Sequence, residues 1–157
     1  NHCNTILVRC VVGEMGVTLA GPSAATLIDA IPADVLRREI HATISDWGRE
    51  ILDHPEPFAN RFYQGYLVLN FARMLHDLIA GRPGSKRAGA AWAKGTFGAA
   101  WADLIDRAWG GRPNPAVAVR EPADIADFES TLQFVRAVMA ETERYARERA
   151  AAPDPGR

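Results

Sequence analysis

Asn60-Arg-Phe-Tyr-Gln-Gly-Tyr-Leu-Val-Leu-Asn-Phe-Ala-Arg-Met-Leu-His-Asp-Leu-Ile-Ala80 is the stretch on which the fold turns. On a helix of 3.6 residues per turn, Leu67, Val68, Leu69, Phe71, Met74, Leu75, Leu78 and Ile79 point in nearly every direction. A helix apolar around most of its circumference has to be surrounded by others, so this segment is predicted to be the hub of a bundle. One polar seam interrupts it. Tyr63, Tyr66, Asn70, Arg73 and Asp77 advance by three and four residues and share a face. An arginine beside leucines and a phenylalanine must be paired or must look into a cleft. Asp77, one turn on, offers a pair; an ordinary solvent-facing stripe is the other reading.

Just past the hub stands Gly81-Arg-Pro-Gly-Ser-Lys-Arg-Ala-Gly-Ala-Ala-Trp92. Gly81 reads as a helix C-cap and Ser85 as the N-cap of the next helix. Lys86 and Arg87 then fall in a first turn, where the helix dipole already carries partial positive charge. Free backbone N–H groups with two added cations suit an anion, above all a phosphate. Alternatively, both side chains bend into solvent at a cost of a few tenths of a kcal/mol. Arg73 is about 9 Å from the end of its helix, so in an antiparallel hairpin it could converge with Lys86 on one phosphate group.

The rest of the chain is helical nearly throughout. A short helix is expected over about Asn4 to Met15, an extended connector over Gly16 to Pro22, and one helical turn over Ser23 to Ile28. Pro32 opens a helix to about Asp53 with a core face of Val35, Ile40, Ile44, Trp47 and Ile51. His54-Pro-Glu-Pro57 breaks it. Helices follow at about Ser85 to Lys94 and Gly98 to Trp109, then a loop over Gly110 to Pro115 and an extended link over Ala116 to Arg120. The last helix covers about Pro122 to Arg149, with Ile125, Phe128, Leu132, Val135, Met139 and Thr142 as its core stripe. Residues 150–157 read as a disordered tail. No convincing sheet is present. The expectation is an all-α bundle of about five to six helices around a buried central helix.

A chain of 157 residues with a formal charge of −1 is one domain's worth, and the balance argues against nucleic-acid or basic membrane-surface binding. No apolar run approaches a membrane span. Cys3 and Cys10, two turns apart, are too distant to bridge and read as buried free thiols of a reducing cytoplasm. His2 and Cys3 followed by Cys10 lack zinc-site spacing. The 19 Asp and Glu residues include no Asp-x-Asp pair to hold magnesium from a strand. There is no phosphate-loop motif, no nucleophile elbow and no His-Glu-x-x-His, so no complete catalytic site is assembled. The chain begins at Asn1 with Ile6, Leu7, Val8, Val11 and Val12 facing no earlier element, which reads as a cut inside a longer protein.

Trp47 stands beside Asp46 and one turn from Glu50, an aromatic face among carboxylates that suits a cationic, hydroxylated ligand. A core tryptophan is the alternative, and Trp92, Trp101 and Trp109 are core candidates too, with Trp109 at the edge of a Gly-Gly loop.

Gly16-Val-Thr-Leu-Ala-Gly-Pro22, Leu27-Ile-Asp29, Tyr66-Leu-Val-Leu-Asn-Phe-Ala-Arg73, Gly81 with Ser85-Lys86, and Ala91-Trp-Ala93 occur in order. Together they resemble the C-terminal helical domain of the aminoglycoside adenylyltransferases that modify streptomycin and spectinomycin, over about residues 5 to 145. The resemblance implies transfer of AMP from ATP to a drug hydroxyl, in a cleft between this domain and an N-terminal nucleotidyltransferase domain that holds ATP and magnesium. On that reading residues 1–22 are the end of the missing domain plus a connector, and 23–149 the helical domain. ATP and Mg2+ are then cofactors of the two-domain parent, none bound by this chain alone, which would be inactive. The resemblance places Arg73 and Lys86 on the ATP phosphates, Trp109 near the nucleotide, and Trp47 and Asp53 on an aminoglycoside or spectinomycin-like drug. Tyr63 and Tyr66 stand where streptomycin-modifying members carry Asp and His, which speaks against streptomycin. A non-enzymatic helical ligand-binding or interaction module is the alternative from another class.

Overall fold

The computed structural model describes residues 5–112 and 119–151. The readings of His2 and Cys3, of Pro113 to Pro115, and of most of the Ala116–Arg120 link and the C-terminal tail lie outside the described residues. Seven helices are described: α1 (Ile6–Met15), α2 (Ala24–Leu27), α3 (Ala33–Asp53), α4 (Arg61–Ala80), α5 (Lys86–Phe97), α6 (Ala99–Gly110) and α7 (Ile125–Ala151). A 3-10 turn, Glu56–Phe58, links α3 to α4. No strand occurs among the described residues; one isolated antiparallel bridge joins Asn60 to Pro122. The fold is the expected all-α bundle.

The local rules set the boundaries of α4. Asn60 caps its start, its side chain accepting from the Tyr63 N–H at 3.0 Å. Gly81 ends it in the left-handed conformation, φ 70°, with its N–H donated to the Asp77 carbonyl. Arg37 of α3 reinforces that end, donating from Nε to the Leu78 carbonyl at 3.1 Å. Between the caps, half of the 20 residues of α4 are buried. It packs against α3, α5, α6 and α7, the hub position the all-round apolar pattern requires. Each fully buried Leu67, Val68, Phe71 or Leu75 contributes about 1.5–3 kcal/mol.

Two helices differ from the sequence reading. Pro32 is the N-cap of α3 rather than its first residue. The last helix starts at Ile125, not Pro122, since Pro122 is drawn into the bridge with Asn60. Its buried face is Thr131, Phe134, Val135, Val138 and Thr142. Ile125 is 78 % exposed, and Phe128, Leu132 and Met139 lie at the flank of the core. The apolar positions of α7 form two overlapping stripes, and the contacts with α3, α4 and α6 select the other one.

At the N-terminal end, α1 and α2 pack on each other and on α3, and Cys10 is buried there. Burial and then Glu14, whose carboxylate accepts from Sγ, push the Cys10 thiol up to about 11. Such a thiol is inert at neutral pH. Ile6, Leu7, Val8 and Val11 are half-buried, while Val12, Met15, Val17, Leu19 and Leu27 are exposed. Among the described residues no helix is long and apolar enough to cross a membrane.

Candidate functional site

The site forms where α4, α5 and the end of α6 meet. Ser85 caps α5 as expected, accepting from the Ala88 N–H at 3.1 Å, so Lys86 is the first residue of the helix. One turn later Gly89 lies flat against α4. A Cβ at this position would sit 2.5 Å from Arg73 Cα, so only glycine permits this approach. The close contact brings the start of α5 to the polar seam of α4. Lys86 Nζ stands 4.5 Å from the centre of the Tyr66 ring. From the other side α6 reaches the seam, the Ala108 carbonyl packing against Gly65. Trp109 follows at the helix end, half-buried.

Asp77 is not the partner of Arg73. Its side chain is only 2 % exposed; the carboxylate bonds His76 Nδ1 at 2.9 Å and packs against Gly84 in the turn between α4 and α5. Burial raises its pKa, and His76, Gly84 and the more distant charge of Arg73 only partly oppose that. Arg73 makes no salt bridge among the described residues, and its Nε is buried with no hydrogen-bond partner. An orphaned guanidinium N–H in a seam is a donor waiting for an acceptor. Asn70 is satisfied locally, Nδ2 donating to the Tyr66 carbonyl at 2.6 Å.

Lys86 is held below its ordinary pKa, first by burial and then by Arg73 and Arg112. Arg112 entered none of the sequence reasoning. It lies two residues beyond α6, its guanidinium 3.9 Å from the centre of the Trp109 ring and its Nε donating to the Trp109 carbonyl at 3.2 Å. The only advance signal was its position three residues after a tryptophan at a helix end. Among the described residues, no carboxylate lies within 4 Å of Arg73, Lys86 or Arg112; Arg38, Arg61 and Arg107 are paired, while exposed Arg9, Arg87 and Arg136 make no salt bridge either, so the lack of a partner is informative only at the half-buried Arg73 and Lys86.

Trp47 is half-buried and stacks on Phe71 at 5.1 Å between centroids, with its plane edge-on to Tyr66 at 6.1 Å. It is both core and surface. Its free flank opens into a shallow groove lined by Glu39, Ala42, Thr43, Asp46 and Glu50. Asp53, one turn past Glu50 on the same face of α3, is exposed and outside that groove. Tyr66 therefore joins two regions: Lys86 stands over its ring, and Trp47 meets the ring edge-on. Phe62 stacks on it at 5.0 Å and Tyr63 packs against it edge-on. The sequence placed Tyr66 on the seam but gave no sign of this bridging position. Among the described residues, no cluster of three His, Cys, Asp or Glu could hold a metal.

A family model described as "Aminoglycoside adenylyltransferase, C-terminal domain" matches residues 26–133, more than two thirds of the chain. No curated protein matches it.

Proposed function

The chain belongs to the aminoglycoside adenylyltransferase C-terminal domain family, and from that premise we propose that it is the helical half of an adenylyl-transfer site. Arg73 and Lys86 bind the nucleotide phosphates, Trp109 borders the nucleotide, and the Trp47 face with its carboxylates, extended by Asp53, receives a cationic, hydroxylated drug. The observation that carries this reading is half-buried Lys86 over Tyr66, one ring away from Trp47, with the unpartnered Nε of Arg73 on the same seam and, among the described residues, no carboxylate within 4 Å of either cation. A phosphate bound there would satisfy the orphaned Arg73 Nε and offset the charge held on Lys86.

Bound ATP would supply the adenylyl group and magnesium its charge neutralisation, both held chiefly by a nucleotidyltransferase domain acting with this one. The residues of this chain orient and bind. Arg73 presents a planar fork and Lys86 a point charge to oxygens of the leaving phosphates. The aromatic wall of Trp47, Tyr66 and Phe62 excludes water on the drug side, while Glu39, Asp46 and Glu50 attract ammonium groups. Tyr63 and Tyr66 give that wall a neutral, hydroxyl-bearing surface, which favours spectinomycin-like ligands over streptomycin. Placement in a cytoplasm that supplies ATP belongs to the same reading.

The test supplies the chain with a nucleotidyltransferase domain of its family. Charge-assisted contacts of about 1.5–3 kcal/mol each mean that Arg73→Ala and Lys86→Ala should raise the apparent ATP constant or lower turnover by about 10- to 150-fold. Helicity and melting temperature should stay near wild type. If Arg73→Ala unfolds the domain and Lys86→Ala is silent, the cations are structural and the assignment is wrong.

A further inference from the structure

Trp109 and Arg112 hold each other in a way that the phosphate reading of Arg73 and Lys86 does not explain. Arg112 covers one face of the indole with its guanidinium, 3.9 Å from the ring centre, and anchors its Nε on the Trp109 carbonyl. That carbonyl is one of the last of α6, where a cation is favoured by the helix dipole. Arg112 itself is exposed. The same guanidinium is close enough to Lys86 to weaken its hold on a proton, alongside Arg73. It therefore covers an aromatic face while its charge is felt at Lys86.

We propose that Arg112 is a third ligand of the nucleotide site and that it shares one face of Trp109 with the base. In the free protein the guanidinium stacks on the indole and keeps that face dry. When a nucleotide enters, the base takes the indole face and the guanidinium swings to the phosphates beside Lys86. A planar cation and a purine are interchangeable on an indole, since both stack flat upon it. The exchange is favourable only if phosphate is delivered with the base, so Arg112 selects nucleotides over free nucleosides. This inference rests on the phosphate-site reading above.

The experiment uses the chain supplied with a nucleotidyltransferase domain of its family, as above, and two separate probes, inorganic tripolyphosphate and adenosine, at millimolar concentration. The indole N–H resonances of the four tryptophans report binding, with that of Trp109 identified by Trp109→Phe. Arg112→Ala should weaken tripolyphosphate binding by about 10-fold or more, the loss of one charge-assisted contact. The same variant should bind adenosine at least as tightly as wild type, with a larger shift of the Trp109 resonance, because no guanidinium has to leave the ring. Arg112→Lys should recover part of the tripolyphosphate affinity. Opposite signs for the two probes are the signature that a plain helix-end contact would not give. Equal weakening of both probes, or no change in either, overturns the role of Arg112. If Arg73→Ala and Lys86→Ala weaken tripolyphosphate binding while Arg112→Ala does not, only this inference fails. If wild type shows no tripolyphosphate binding, or none of the three substitutions alters it, the phosphate-site reading falls with it.

Discussion

Replacing Lys86 by methionine should leave the free chain as stable as wild type or more so, while removing its response to phosphate. Lys86 is the first residue of α5, and a cation there opposes the helix dipole by about 0.3–1 kcal/mol. Arg73 and Arg112 add repulsion that fades with salt. Against this stands the contact with Tyr66, worth about 0.5–1 kcal/mol. Methionine keeps the apolar stem and removes a half-buried charge whose desolvation also counts against the wild type. The dipole and stacking effects nearly cancel, so the net change should favour the variant by at most about 1 kcal/mol. For a chain of this length that is a rise in Tm of at most about 2–4 °C. Linkage gives the same sign. A cation whose folded pKa is lowered contributes stability above its unfolded pKa, the ordinary lysine range. That contribution is lost as pH falls through the folded value, so at neutral pH Lys86 is a cost. The assay is thermal melting of the chain supplied with a nucleotidyltransferase domain of its family, with and without tripolyphosphate. At ten times its dissociation constant the anion should stabilise wild type by about 1.4 kcal/mol and the variant by far less, so the two curves change order. If Lys86→Met lowers stability by more than about 1 kcal/mol without anion and responds to tripolyphosphate as wild type does, Lys86 is a packing residue and the reasoning fails.

Gly89→Val should push α5 off α4, because its Cβ would meet Arg73 Cα at 2.5 Å; overpacking of about 1–3 kcal/mol and a loss of tripolyphosphate affinity with Lys86 still in place are expected in melts and titrations. Asp77→Asn should flatten the dependence of stability on pH. The raised pKa of Asp77 means that its stabilisation is full below the unfolded value of 3.8 and is lost as pH rises through the folded one, so denaturation midpoints across pH 4–8 should fall for wild type and less for the variant. An equally steep fall in both would show that another group is responsible. Arg37→Ala removes a charged donor from the Leu78 carbonyl and should cost about 1.5 kcal/mol in denaturant unfolding. Anion binding should survive that change, since Arg37 is not among the charges acting on Lys86.

The hub helix was legible because its signal is redundant: an all-round apolar pattern, an Asn cap, a Gly stop and a Ser cap beyond it all agree. Arg73 and Lys86 stand out in the sequence for the opposite reason, as cations that break local rules, and among the described residues the structure leaves both without a carboxylate in reach. What the sequence hid depends on rotation and reach. The phase of α7 was misread because Leu132 and Met139 fit one stripe as well as Phe134 and Val138 fit the other. Asp77 bonds His76, its neighbour in sequence, rather than Arg73 one turn away; side-chain direction, not spacing, decides that choice. Arg112 sits in a Gly-Gly-Arg-Pro loop with no periodicity to read, and only the approach of α6 to α4 gives it meaning.

The absence of counter-charges at this site is not a matter of supply. With 19 Asp and Glu against 18 Lys and Arg the chain has a carboxylate for every cation, and several go to exposed pairs such as Arg38–Asp34 and Arg107–Asp127, which contribute little. Among the described residues, four Lys or Arg side chains are half-buried: Arg37, Arg73, Lys86 and Lys94. Arg37 donates to a helix-end carbonyl and Lys94 holds Asp106 at 2.6 Å. Arg73, against whose backbone Gly89 packs, and Lys86, one turn before Gly89 on α5, have neither. Asp77 acts on Arg73 at longer range, but among the described residues neither cation has a carboxylate in hydrogen-bond reach. On the proposed reading an anion bound between them would supply that missing partner, so the positions of weak pairing in the free chain are the ones where an anionic ligand would gain most.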